Sequence, residues 1–87
     1  MSLQDEVVVI TGASRGIGKT LALAFAEKGA IVVASARKAT GPDSIEETVK
    51  LITNGGGKAI AIQCDVTSPE DCQNLINTSI EQFGSID

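Results

Sequence analysis

Val7-Val8-Val9-Ile10-Thr11-Gly12-Ala13-Ser14-Arg15-Gly16-Ile17-Gly18-Lys19-Thr20 is an apolar run that ends in glycines at offsets 0, 4 and 6 and passes at once into an Ala/Leu-rich segment with helical spacing. This pattern predicts a strand, a tight loop and a helix start. A backbone that turns sharply while a phosphate approaches its N–H groups has no room for Cβ atoms. The helix N-terminus that follows presents donors without intrahelical partners, together with a partial positive charge. The loop therefore reads as a phosphate cradle.

Outward from that loop, Val7 to Thr11 is apolar without alternation, as in a strand buried on both faces of a parallel sheet. Ile17, Leu21, Ala24 and Phe25 give a helix from Gly16 to Lys28 one apolar face, and Gly29 supplies the left-handed position that ends it. Ile31 to Ala36 is a second strand. Arg37 to Asp43 is a loop, and Ser44-Ile45-Glu46-Glu47 has the S-x-x-E form of a capping box, opening a helix striped by Ile45, Val49 and Ile52. Gly55-Gly56-Gly57 stops that helix, Ala59 to Gln63 is a third strand, and Cys64 to Thr67 is the loop at its carboxyl end. Ser68 caps a third helix, with Pro69 at its first position and Glu70 and Asp71 at its positive end. Cys72, Leu75, Ile76, Ser79, Ile80 and Phe83 form its expected inner face, and Gly84 ends it. The order βαβαβα implies a parallel sheet of order 3-2-1 with right-handed crossovers, one mononucleotide-binding half of a Rossmann-type three-layer α/β fold. Ser85-Ile86-Asp87 reads as the entry to a fourth strand, so the expectation is an N-terminal half-domain over residues 1–87 that stops short of that strand.

The composition narrows the function classes. Eighty-seven residues suffice for one small domain, and 43% hydrophobic with 21% charged residues is globular. No apolar run approaches the roughly 20 residues of a membrane span. A net charge of −4 without a basic stripe argues against nucleic-acid binding. Met1 to Glu6 lacks the layout of a signal peptide, which makes the cytoplasm the expected compartment. Cys64 and Cys72 show no metal or redox spacing and read as buried thiols. The chain has no His, Tyr or Trp, so His-based triads, His metal sites and a tyrosine acid are absent from it.

Two phosphate readers remain. Gly12-x-x-x-Gly16-x-Gly18 departs from the G-x-G-x-x-G dinucleotide spacing, while Ala13 to Thr20 meets the P-loop pattern G-x-x-x-x-G-K-[ST] except that Ala13 replaces its first glycine. In the P-loop reading Lys19 holds phosphate, and Asp65 stands as an acidic magnesium ligand. The end of the second strand weighs against it. In a dinucleotide-binding half this position faces the adenosine ribose, where an acid selects NAD and a cation accepts the 2′-phosphate of NADP. Ala36-Arg37-Lys38 lies 18 to 20 residues past Gly18 and supplies two cations and no acid; Arg15 is a third. The plainer alternatives are a solvated loop for Arg37 and Lys38, a surface residue at Arg15 and a local loop cap at Asp65.

Thr11-Gly12-x-x-x-Gly16-x-Gly18, the basic end of strand two, Asp65-Val66 after strand three, and Phe83-Gly84-Ser85-Ile86-Asp87 together resemble the classical short-chain dehydrogenase/reductase family over essentially the whole chain. The resemblance implies that Gly12, Gly16 and Gly18 hold the pyrophosphate, with Ser14, Arg15 and Ile17 on the adenosine and phosphate side. It implies that Arg37 and Lys38 select NADP over NAD, and that Asp65 and the Val66 backbone contact the adenine. Lys19 and Thr20 are then ordinary first-turn helix residues. The family's Asn-Asn-Ala-Gly segment, catalytic Ser and Tyr-x-x-x-Lys pair are expected beyond residue 87, so no catalytic residue is assigned and this chain alone is expected to bind without turning over substrate. The other hypotheses are the P-loop module and a noncatalytic dimerising piece. The uncharged Val7-Val8-Val9-Ile10 edge predicts a homo-oligomer.

Overall fold

A strand buried on both faces sends alternate side chains into two cores, and the three strands divide in this way. In the computed structural model, which describes residues 3–38 and 40–84, the elements are β1 (Val7–Thr11), α1 (Gly16–Glu27), β2 (Ile31–Ala36), α2 (Ile45–Asn54), β3 (Lys58–Gln63) and α3 (Pro69–Phe83). All three strands are parallel in the order β1-β2-β3, with Val9 opposite Val33 and Val33 opposite Ile60. This is the expected 3-2-1 sheet, and β1 is an edge of it among the described residues. The expected entry to a fourth strand, 85–87, lies outside the described residues.

Val32 and Ala34 of β2, with Ile10, pack against α1 and α2 through Ala22, Ile45 and Ile52. Val33 and Val7 face the opposite way, onto Leu75 and Cys64. The result is three layers: α1 and α2, the sheet, then α3. Ile45 is 1% exposed, and burying such a side chain contributes about 1.5–3 kcal/mol.

Two expected helix faces need correction. In α1, Ile17 and Leu21 are exposed, as is Ala24; Ala22 is fully buried, with Phe25 and Ala26 packed beside it. The cause is the closeness of the helix to the loop beneath it. A Cβ on Gly18 would lie 2.0 Å from the Gly12 carbonyl oxygen, so the inward face runs through the small residues Gly18, Ala22 and Ala26, and Ile17 and Leu21 are turned outward. In α3, Leu75 and Ser79 are buried with Cys72 and Phe83 half-buried, while Ile76 and Ile80 are exposed. A single helix face covers a single sheet, and the remaining apolar residues of a broad stripe stay outside. Cys64 is buried as expected; Cys72 is only half-buried, with its Sγ donating to the Val66 carbonyl at 3.7 Å.

Candidate functional site

The carboxyl ends of the strands carry the site. At β1 the chain leaves the sheet through Gly12 and Gly16, whose φ of +66° and +61° are left-handed values that side chains disfavour. A Cβ at either position would meet no atom within 4 Å, so the open side of the loop has space for a ligand. The Ala13 N–H donates to the Ser35 carbonyl at 3.0 Å, tying the loop to β2. The α1 N-cap residue, Arg15, makes no side-chain capping bond, and no acid stands in the first turn. A positive helix end with unclaimed N–H groups beside a glycine loop suits an anion such as a pyrophosphate.

A cleft of about 460 Å³ opens beside this loop and is lined by Gly12, Ser14, Arg15, Arg37, Lys38 and Val66 among the expected residues. Gly16, Ile17, Gly18 and Asp65 are not on its wall: Gly18 is under the loop, and Ile17 is 80% exposed. Three further residues line the cleft, namely Ala36, Asp43 and Cys64. Ala36 and Cys64 are at the ends of β2 and β3, where strand topology alone could have placed them. Asp43 adds an acidic residue to a wall that also carries Arg15, Arg37 and Lys38, and its φ of +53° gave no signal in the sequence.

Electrostatics distinguish the side chains. Arg37 is 80% exposed at its side chain, and its Nε is 3.9 Å from Asp65 Oδ2. Its carbonyl accepts from Gln63 Nε2 at 2.8 Å, which fixes the backbone and leaves the guanidinium extended into solvent. Asp65 Oδ1 accepts from the Thr67 N–H at 2.9 Å and the Thr67 hydroxyl at 2.7 Å. Those two bonds, with the Arg37 charge, hold the Asp65 carboxyl below the usual carboxylate range. Asp65 is thus the local loop cap before α3, in reach of Arg37. Burial and the neighbouring Cys72 thiol push the Cys64 thiol up.

Lys19 stands in the first turn of α1 and off the cleft wall, as expected, and it also makes a contact between helices. Its Nζ is 3.0 Å from Glu47 Oε1, linking α1 to α2 and lowering the Glu47 pKa through that hydrogen bond and the lysine charge. The capping box is half-formed: Ser44 Oγ accepts from the Glu47 N–H at 3.2 Å, while the Glu47 carboxylate holds Lys19 and accepts from the Asp43 backbone. The Thr20 hydroxyl donates to the Gly16 carbonyl at 3.1 Å. The two side chains that a P-loop turns onto phosphate and magnesium are both occupied by the protein itself. That disfavours the P-loop.

Comparison with known proteins agrees with this geometry. The family described as short chain dehydrogenase matches residues 6–87. The chain belongs to the short-chain dehydrogenase family. An uncharacterized oxidoreductase of Listeria monocytogenes is 42% identical over 87 residues, covering 100% of this chain and 34% of the relative. A hydroxysteroid dehydrogenase structure from Escherichia coli superposes with a TM-score of 0.93 at 38% identity, covering 99% of this chain and 35% of that one. A short-chain type dehydrogenase/reductase from Mycobacterium marinum gives 0.91 at 41% identity, covering 99% and 34%. This chain thus spans about a third of the length of the family members it matches. Within that third the short-chain dehydrogenase relatives share its α/β architecture. Among the described residues no helix is long and apolar enough to cross a membrane.

Proposed function

We propose that residues 1–87 form the adenosine-side, NADP-binding half of a short-chain dehydrogenase whose whole protein transfers hydride between NADP(H) and a carbonyl or alcohol substrate. Arg15, Arg37 and Lys38 on one wall with Gly12 and Ser14 is the observation that carries this reading. The bound nicotinamide dinucleotide supplies the hydride donor or acceptor. The chain's own residues bind and orient it: N–H groups of the Gly12 to Gly18 loop other than that of Ala13, with the α1 N-terminus, take the pyrophosphate, and Ser14 and Ile17 flank it. Arg37, Lys38 and Arg15 accept the 2′-phosphate, for which a guanidinium has paired donors. Asp65 and the Val66 backbone meet the adenine, with Asp65 also steadying Arg37. With no tyrosine in the chain, proton exchange with substrate belongs to residues outside it.

Titration of the chain with NADPH and NADH tests the assignment. NADPH binds more tightly, a magnesium chelator changes neither affinity, and Arg37→Asp reverses the preference by about 1–3 kcal/mol. Tighter NADH binding by the unmodified protein would refute the cofactor choice. An ATP affinity lost with the chelator would return the P-loop reading.

Cytoplasmic residence and self-association belong to the same proposal. Val8 and Val9 on the β1 edge are only half-buried, and an apolar edge without charge or proline favours pairing with another copy. Sedimentation over a dilution series shows a dimer or larger assembly; a compact monomer at micromolar concentration would contradict it.

A further inference from the structure

One buried hydroxyl between the glycine loop and α2 has no part in the site described so far. Thr48 is 0% exposed, and its Oγ1 donates to the Ala13 carbonyl at 2.7 Å, with the Ser44 carbonyl farther away at 3.3 Å. A valine would fill the same volume, so packing does not call for a hydroxyl here. The Ala13 carbonyl does: Ala13 is itself 0% exposed, and a buried acceptor without a donor is costly. With its N–H on Ser35 and its carbonyl on Thr48, Ala13 is fixed from both sides.

The consequence lies in the next peptide group. The Ala13 carbonyl and the Ser14 N–H belong to one planar trans unit and point in opposite directions. A carbonyl pinned to α2 turns that N–H away from α2, and Ser14 lines the cleft. The preceding residue of α2, Glu47, holds Lys19 in the first turn of α1 at 3.0 Å. One turn of α2 thus grips the loop at Ala13 and the helix that follows it at Lys19.

We propose that Thr48 is a positioning residue for anion binding at the glycine loop, presetting the Ser14 N–H toward a pyrophosphate that the threonine itself never touches. The inference rests on the dinucleotide reading above, and its test separates the two. The chain is titrated with inorganic pyrophosphate and, separately, with adenosine 2′-phosphate, whose phosphate engages the side chains of Arg15, Arg37 and Lys38 rather than the N–H groups of the loop. Thr48→Val weakens pyrophosphate roughly tenfold and leaves adenosine 2′-phosphate within about twofold, while Thr48→Ser, which keeps the hydroxyl, stays within about twofold for both. A folded Thr48→Val variant with unchanged pyrophosphate affinity would overturn the role, and so would parallel weakening of both ligands, which marks a merely structural residue. Wild-type chain that binds neither ligand refutes the dinucleotide reading, and the positioning role falls with it. Should Thr48→Val fail to fold, the wild-type titration followed by NMR still decides. Pyrophosphate shifts the Ser14 amide resonance if the proposal holds, and a Ser14 amide that stays in place while pyrophosphate binds overturns it.

Discussion

The N-terminus of α1 and those of α2 and α3 are built on opposite plans. Ser44 and Ser68 each accept from a backbone N–H three residues on, at 3.2 and 3.3 Å, and two acids stand in the first turn of each of those helices. The α1 helix, with Arg15 at its N-cap, has neither a side-chain cap nor an acid in its first turn. Where a helix end has only to be stable, the sequence supplies its own oxygen acceptor and negative charge. At the α1 end, which we propose receives an external anion, those groups are missing, and close packing onto the loop holds the helix start instead.

The largest effect that would break this contrast is at Gly18. Gly18→Ala drives a Cβ to 2.0 Å from a backbone oxygen that no flexible side chain can yield, so it destabilises the chain by about 3 kcal/mol or more, read in urea unfolding. A loss below about 1 kcal/mol would mean that the loop is softer than its packing implies.

A smaller pair of variants sets the two kinds of terminus against each other. Ser44→Ala removes a cap and costs about 1 kcal/mol of stability. Arg15→Asp gives α1 the acceptor it lacks, adding up to about 1 kcal/mol while weakening pyrophosphate binding. Stability and affinity moving in the same direction in Arg15→Asp would contradict the opposition between the two plans.

The smallest effect is on pH dependence. The Glu47 pKa is depressed in the fold, chiefly by its hydrogen bond to Lys19, so its contribution to stability is present above the ordinary glutamate range and is lost as pH falls through the depressed folded value. The melting-temperature gap between wild type and Glu47→Gln therefore narrows in acid, and a gap that stays constant would remove the ion pair from the account. The pair is partly exposed, which keeps the effect modest.

The same contrast explains what could be read from sequence. Element order, the Ser44 and Ser68 caps and the left-handed Gly29 and Gly84 are local signals, set by a few neighbouring residues, and the structure has each of them. The inner face of α1 is not local. Ile17, Leu21 and Ala24 carry the hydrophobic pattern, yet the approach of Gly18 to Gly12 gives the inside to Ala22. Ile76 and Ile80 mislead in the same way, because apolar spacing marks a stripe broader than the strip of helix that touches the sheet. Thr48 sits within the Ile45, Val49 and Ile52 stripe as an apparent interruption, and only folding brings its hydroxyl to Ala13, 35 residues earlier in the chain. Arg15, Arg37 and Lys38 line the cleft, a placement readable from sequence because charges at strand and loop ends need no packing detail. The place of Asp43 on the cleft wall and the capping use of Asp65 depend on loop geometry that spacing does not encode.

In the function we propose, the uncapped α1 terminus and the cationic rim together receive a nucleotide bearing a 2′-phosphate. Calorimetric titration of the unmodified chain with adenosine 2′,5′-bisphosphate and with adenosine 5′-monophosphate isolates that phosphate from the rest of the cofactor. The bisphosphate is expected to bind at least roughly tenfold more tightly, the scale of a charge-assisted hydrogen bond. Equal affinity for the two, or preference for the monophosphate, would contradict it.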